Sequence, residues 1–299
     1  MTTKQKPQAQ KKGPKNPEYD FKWCPGCGDF GVRRALEQAV SRRLIETEEP
    51  VEKNVVIAGI GCSGNMVHLL EGPQPYGFHG LHGRTLPISL GVKMARPDLN
   101  VIVVAGDGDF LSIGMEHIAP QAQRNLNVCV VVMDNAVYGL TKGQSSPTAE
   151  IGAITSSTPY GKPEESLNAL RFYLSVGVSF VASAMSSKIK EVAQLIYEGM
   201  EHPGFSVVHV QSPCTVYNDT YEVLKGNPKK GIEPTAWPIE DDHDPSNLDA
   251  AHGLVNNGGV PLGLLYRAPE SVPFEQRVAS MWEKATPRTV EEMMDTHRF

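Results

Sequence analysis

The chain has 299 residues, 40% of them hydrophobic, which is enough for one large domain or two small ones around a substantial core. A formal net charge of −6 excludes a general nucleic-acid-binding role and suits a soluble cytoplasmic protein. No apolar run reaches the roughly 18 residues a membrane span needs, and five cysteines, an odd number in a long chain, argue against a disulfide framework.

In chain order, residues 1–16 are rich in Lys, Gln and Pro. They lack the apolar stretch of a signal peptide and the Arg/Ser-rich pattern of a transit peptide, so a disordered basic tail is expected there. A folded domain is expected over 17–217. Val32, Leu36, Ala39, Val40 and Leu44 keep helical spacing after Gly31. Residues 55–58 form a short β-branched run that enters Gly59-Ile60-Gly61-Cys62-Ser63-Gly64. That segment reads as a dinucleotide fingerprint, but the fingerprint needs a long helix directly after it. Here only 65–70 could be helical before a stretch full of Gly and Pro, so the match is read as accidental.

Helices are expected over 86–94, 115–124 and 189–200, the last with Ile189, Val192, Leu195 and Ile196 on one stripe. Between them lie apolar runs at 101–105, 128–133, 178–182 and 205–210, the mark of strands buried on both faces. The alternation predicts an α/β fold, a mostly parallel sheet with helices on both faces. Cys129 falls inside one run and is expected to be a core thiol. Residues 218–299 turn polar and rich in Pro, Gly and Asn, with an acidic stretch at 240–244. Only 275–284 looks helical, so an irregular C-terminal extension is expected, packed on the core or on a partner.

Two strand ends carry the chemistry. The run at 101–105 enters Gly106-Asp107-Gly108, and the run at 128–133 enters Asp134-Asn135. In an open parallel sheet both would emerge at the carboxyl edge, where ligands bind. A carboxylate, an amide oxygen and a loop carbonyl suit Mg²⁺ shared with a diphosphate. Gly106 and Gly108 would let backbone approach the phosphates, and a helix starting near Leu111 would aim its N-terminus at them. The plain alternative is a turn Asp and a capping Asn.

Trp23-Cys24-Pro25-Gly26-Cys27-Gly28, with Cys62 and Cys214, has three readings. A thioredoxin-like dithiol would need a buried strand before it, and the lead-in here is polar. A zinc site would show two close Cys pairs, whereas Cys62 and Cys214 stand singly. A [4Fe–4S] cluster needs four thiolates, which distant loops can supply. Cys62 and Cys214 both follow expected strands, so all four could converge beside the diphosphate site.

These motifs resemble the β subunits of 2-oxoacid:ferredoxin oxidoreductases over roughly residues 17–225. The strand–GDG–helix–strand–Asn order resembles the thiamine-diphosphate motif, and the resemblance makes Asp107, Asn135 and the Val137 carbonyl the Mg²⁺ ligands. It makes Cys24, Cys27, Cys62 and Cys214 the ligands of one [4Fe–4S] cluster. It places Gly61, Ser63, Gly106, Gly108 and Asp109 around the cofactor, with Tyr138, Gly139, Leu140 and Thr141 from the loop after Asn135. His82-Gly83-Arg84 is similar to a family motif beside the cofactor, where His82 and Arg84 would bind diphosphate or substrate. Thr141-Lys142-Gly143-Gln144 resembles the branch acting on 2-oxoglutarate. Lys142 is either a partner for a second substrate carboxylate or a solvated loop residue.

The implied reaction is reversible oxidative decarboxylation of a 2-oxoacid, with coenzyme A taking the acyl group and ferredoxin the electrons. Pyruvate is the alternative substrate. A separate α subunit is expected to complete the thiamine site, in an αβ or α₂β₂ assembly. Two other classes stay open at this point: a non-oxidative thiamine-dependent subunit without a cluster, and a binding module holding structural zinc.

Overall fold

Strands that are β-branched along their whole length have no polar face to turn to water, so both of their faces must be covered. The computed structural model describes residues 23–73 and 75–298. The expected tail at 1–16, and residues 17–22 of the expected domain, lie outside the described residues. The main sheet contains β1 (Asn54–Ala58), β2 (Tyr76–His79), β3 (Asn100–Gly106) and β4 (Val128–Asp134). A separate hairpin joins β5 (Val137–Tyr138) to β6 (Gln144–Ser145). The main sheet continues with β7 (Phe180–Met185), β8 (Phe205–Gln211), β9 (Ala236–Pro238) and β10 (Val260–Arg267).

The eight strands lie in the order β2-β1-β3-β4-β8-β7-β10-β9. From β2 to β7 every pairing is parallel. β10 runs antiparallel to β7 and carries β9 parallel at the edge. All five runs read as strands from the sequence take part, although the run at 178–182 begins pairing only at Phe180. β2 was not foreseen, because Gly and Pro surround it; it is an edge strand, where such neighbours cost little.

Alternate residues of each strand serve opposite layers. Val56, Ala58, Ile102, Val104, Val131 and Met133 pack toward α1 (Asp29–Thr47) and α5 (Ile189–Glu201). Val55, Ile57, Val101, Val103, Val130 and Val132 pack toward α2 (Thr85–Ala95), α3 (Ile118–Arg124) and α4 (Ala169–Ser175). Cys129 is a core thiol, 1% exposed, and burial pushes its pKa up to about 12. The helix expected from 115 opens with a 3-10 turn at Met115–His117 before α3. Pro120 sits in the first turn of α3, where its missing N–H costs no hydrogen bond. After Gly59–Gly64 comes only the 3-10 segment Ser63–His68 and then β2, so no helix is present to support a dinucleotide fingerprint.

The segment after 218 is more ordered than its composition implied. α6 (Tyr221–Lys225) leads to β9, α7 (Leu248–Asn256) buries Ala251 and Val255 in the core, and β10 extends the sheet. α8 (Phe274–Trp282) occupies nearly the span read as helical, and α9 (Val290–Asp295) follows, closed by a Thr289/Glu292 capping box. Pro261 and Gly263 interrupt the hydrophobic pattern of β10 and hide it in the sequence, and its register with β7 shifts at Leu264/Tyr266. One residue fastens this segment to the core. Asn125, at φ 54°, accepts hydrogen bonds from Ser179 Oγ (2.7 Å) and the Phe205 N–H (2.9 Å). Its amide nitrogen donates to Ser271 Oγ (2.8 Å).

His202 closes the same region, its Nε2 2.9 Å from Ser179 Oγ. Burial and the Arg267 charge push its pKa down to about 4 from 6.5. The unfolded chain therefore binds a proton between these values that the folded chain refuses, and stability falls as pH drops from 6.5 toward 4. Between pH 7 and 5 the expected loss is ~1–2 kcal/mol. Denaturant melts should show this loss in the wild type and a flatter acid limb in His202→Gln; parallel limbs would assign the acid sensitivity elsewhere.

Candidate active site at the strand ends

In a parallel sheet the ligand crevice opens beyond the strand C-termini, where the winding reverses. From β1 the chain passes to β2 on one side and then to β3 on the other, so the reversal lies between β1 and β3. A cleft of about 490 Å³, open mouth included, lies at this point. The turn after β1 supplies Gly61, Cys62 and Ser63. The turn after β3 supplies Gly106, Asp107, Gly108 and Asp109, and the segment after β4 supplies Asn135, Val137, Tyr138, Gly139, Leu140 and Thr141. His82 completes the wall. Of the residues expected around the cofactor, all but Arg84 line this one surface.

Arg84 and Lys142 are not on that surface. Arg84 directs its guanidinium to the Gly83 and Ile113 carbonyls and to Glu116 Oε1 (3.1 Å). Lys142 is exposed in the β5–β6 hairpin at φ 81°. His68 and His79 lie off the cleft, 2.8 Å from each other.

Asp107 is 1% exposed. Its Oδ2 accepts from Thr148 Oγ1 (2.8 Å) and Ser146 Oγ, and Oδ1 faces the Asn135 N–H at 3.5 Å. The same Thr148 hydroxyl stands 2.8 Å from Asp134, which also accepts from the Ala136 N–H and His209 Nε2, both at 3.0 Å. Burial and the neighbouring Asp134 charge push Asp107 up to about 8. Burial alone would raise Asp134 too, but the His209 and Thr148 hydrogen bonds hold it below the usual range. A hydroxyl has one proton, so Thr148 can satisfy only one of these carboxylates. Burial and Asp134 thus disfavour the charged form of Asp107, which a divalent cation at its carboxylate would favour.

The Mg²⁺ donor set fits that need. Asp107 offers a carboxylate, and Asn135 Oδ1, already accepting from the Val137 N–H (3.0 Å), keeps a second lone pair. Val137 offers its carbonyl from the cleft wall. This set has a single carboxylate, as expected for an ion shared with phosphate oxygens. After Gly108 the chain winds through a π-helical turn, Asp109–Ile113, so the helical segment starts earlier than the expected Leu111. Such turns concentrate at functional sites.

Asp109 organises the cleft from behind. Its Oδ1 accepts from the Ile60 N–H (3.1 Å) and the Gly83 N–H (2.8 Å), and His82 Nδ1 stands against the same oxygen as an ion-pair contact, so three turns meet at this carboxylate. A carboxylate on Nδ1 fixes the His82 ring and leaves Nε2 as its remaining polar atom. Gly59 makes room for this: a Cβ there would stand 1.9 Å from Asp109 Oδ2.

Of the cysteines, Cys62 lines the cleft, and Cys214 lies behind its Gly139 wall. A Cβ on Gly139 would lie 3.5 Å from Cys62 Sγ and 3.8 Å from Cys214 Sγ. The Cys27 thiol lies within electrostatic reach of Cys62 and Cys214, and Cys62 within reach of Cys24 and Cys214. Trp23 Nε1 donates to the Cys62 carbonyl (2.7 Å), and the Gly28 N–H to the Pro213 carbonyl (3.1 Å). Burial, then the Asp29 charge, push Cys62 up to about 12 and raise Cys27 further above the normal thiol range. Asp29 itself is raised to about 6 by burial, a rise that Ser212 and Ser63 oppose. Among the described residues no three His, Cys, Asp or Glu side chains are close enough to grip one metal ion.

Sequence reasoning missed Asp29, Ser146, Thr148, Asp134 as a charge, and His209. All act through contacts that sequence spacing does not display.

A family model described as thiamine pyrophosphate enzyme, C-terminal TPP binding domain, matches residues 59–210. Another, for the C-terminal part of the pyruvate ferredoxin oxidoreductase beta chain, matches 230–283. A 2-oxoacid:ferredoxin oxidoreductase subunit beta from Saccharolobus solfataricus is 36% identical over 86% of this chain and 85% of its own. A 2-oxoglutarate oxidoreductase subunit KorB from Mycobacterium tuberculosis is 38% identical over 72% of this chain and 56% of its own. Among solved structures, a 2-oxoglutarate:ferredoxin oxidoreductase from Magnetococcus marinus, with 2-oxoglutarate, coenzyme A and succinyl-CoA bound, superposes with a TM-score of 0.81. It is 36% identical and covers 93% of this chain and 92% of that one.

Gly59→Ala should displace the Asp109 carboxylate and loosen all three turns it holds. The expected result is about a tenfold or greater loss of thiamine diphosphate affinity by calorimetry, with about 1–3 kcal/mol of lost stability. Unchanged affinity would mean the Asp109 anchor does not shape the cleft.

Proposed function

The chain belongs to the β subunits of the 2-oxoacid:ferredoxin oxidoreductases, and from that membership we propose that it acts on 2-oxoglutarate. With coenzyme A the products are succinyl-CoA and carbon dioxide, and electrons pass one at a time to ferredoxin; the reaction also runs in reverse. The observation that carries this reading is Gly139, which lines the cofactor cleft on one side and faces Cys62 and Cys214 on the other. Electron transfer out of the cleft needs that adjacency. A non-oxidative thiamine enzyme would leave the four cysteines without a task. The KorB relative and the 2-oxoglutarate-bound neighbour support the substrate.

Thiamine diphosphate, when bound, supplies the electron sink that lets a 2-oxoacid lose carbon dioxide. Asp107, Asn135 and the Val137 carbonyl would hold Mg²⁺ against the diphosphate. Gly106 and Gly108 admit the phosphates close to backbone. His82, steadied by Asp109, offers a polar ring at the cleft wall. Tyr138 donates to the Gly108 carbonyl (3.1 Å) and keeps the hairpin against the diphosphate turn. Cys24, Cys27, Cys62 and Cys214 would hold one [4Fe–4S] cluster as the one-electron acceptor. An α subunit would cover the open mouth and complete the thiamine site, in an αβ or α₂β₂ enzyme. Lys142, next to Thr141 of the wall, would meet the second carboxylate of 2-oxoglutarate.

Purified anaerobically with its α subunit, the enzyme should turn over 2-oxoglutarate at least about tenfold better than pyruvate by kcat/KM. Lys142→Ala should erase most of that preference by raising the 2-oxoglutarate KM, and Asp107→Ala should abolish turnover of both substrates. A wild type that prefers pyruvate would overturn the substrate assignment. Turnover surviving in Asp107→Ala would overturn the Mg²⁺ site.

A further inference from the structure

Cys27, Cys62 and Cys214 lie on three segments far apart in sequence, and one side chain on the first bonds to residues of the other two. Asp29, two residues after Cys27, is fully buried. Its Oδ2 accepts from Ser63 Oγ at 3.2 Å, and Ser63 directly follows Cys62. Its Oδ1 accepts from Ser212 Oγ at 2.6 Å, and Ser212 stands two residues before Cys214. Ser63 and Ser212 are themselves 3% and 0% exposed, so their hydroxyls have no water to turn to. Backbone packing tightens the same junction: a Cβ on Gly28 would stand 2.7 Å from the Ser212 backbone. Thr215 Oγ1 donates to the Pro25 carbonyl at 2.9 Å, which draws the Cys24 side of the loop onto the Cys214 side.

A buried carboxylate is expensive unless its surroundings favour the anion, and here the surroundings oppose part of that cost. Asp29 is the first residue of α1, a 19-residue helix whose free N–H groups and dipole put positive potential at that end. Two hydroxyl donors complete the cradle. The result is a fixed negative charge inside the cysteine cluster, in a place where solvent cannot screen it.

We propose that Asp29 is a positioning residue of the cysteine site: it staples three cysteine segments together and holds a buried charge that lowers the reduction potential of the centre they bind. The inference rests on the iron–sulfur reading of the cysteines. A nearby anion disfavours the electron-rich form of a cluster, and charge and hydrogen bonding around the sulfurs are the levers by which proteins set potential. A centre that must reduce ferredoxin benefits from that direction.

Asp29→Asn separates charge from shape. The amide oxygen still accepts from one serine and the amide nitrogen donates to the other, so the staple survives and the charge is gone. Full-length chain with its α subunit, purified without oxygen, would be assayed for iron and sulfide. It would then be titrated potentiometrically by visible absorbance and electron paramagnetic resonance. Wild type and Asp29→Asn should hold the same iron, with the variant's midpoint potential shifted positive. Asp29→Ala, which strands two buried hydroxyls, should retain several-fold less iron and melt lower. An iron-loaded Asp29→Asn with an unchanged or more negative potential overturns the inference and leaves the cluster reading intact. Should Asp29→Asn fail to retain iron, Ser212→Ala decides on the staple: it keeps Asp29 and removes one strut, so it should retain less iron than wild type, and full iron retention overturns the proposal. A wild type without iron removes the cluster reading itself, and this inference with it.

Discussion

Parallel pairing of β1, β3, β4 and β8 is the constraint on which the rest depends. It delivers the C-terminal ends of four strands to one edge of the sheet, and each end carries a chemical group: Cys62 after β1, Asp107 after β3, Asn135 after β4, Cys214 after β8. An antiparallel arrangement of the same runs would send alternate turns to opposite edges. The sheet can be parallel only because its strands are covered on both faces, which the near-continuous Val and Ile runs allow. The chemistry at the edge is thus a consequence of apolar packing a few residues away.

Buried carboxylates then convert proximity into geometry. Asp109 holds the β1 and His82 turns to the β3 turn, Asp29 joins three cysteine segments, and Asp134 sits behind Asp107 with His209. Each charge costs desolvation, and most of that cost is offset by N–H or O–H donors from the turns being joined. Asp107 and Asp134 share one donor, the Thr148 hydroxyl, so a cation at that pair would add compensation that the hydrogen bonds alone do not supply.

The sheet was legible from sequence because continuous β-branched runs between turns admit few other solutions. The candidate ligand residues were legible because Asp107, Asn135 and the four cysteines sit in local motifs. The anchors behind them were not. Asp29 looks like an ordinary first-turn helix residue, and its partners Ser63 and Ser212 are 34 and 183 residues away. His209 sits inside an apolar strand and reads as a satisfied core histidine until Asp134 is seen 3.0 Å from it. Ser146 and Thr148 follow a hairpin whose return onto Asp107 depends on the left-handed turns at Ala136 and Lys142. β9 and β10 were missed for a different reason: Pro and Gly diluted their pattern, and neighbouring strands rather than local propensity hold them in the sheet.

The cleft's charge pattern separates two tasks. Among the described residues its walls carry Asp107 and Asp109 but no lysine or arginine, while Arg84 is committed to Glu116 and Lys142 stands out at the hairpin. A cation on the wall beside Asp107 would compete with a metal ion for the same carboxylate, so the wall that favours Mg²⁺ is poorly built to grip the substrate's carboxylates. In the proposed reaction, recognition of an anionic 2-oxoacid would then fall to the mouth, to Lys142 and to the α subunit over it. Leu81 and Leu140, exposed near the mouth, would be covered by the same subunit.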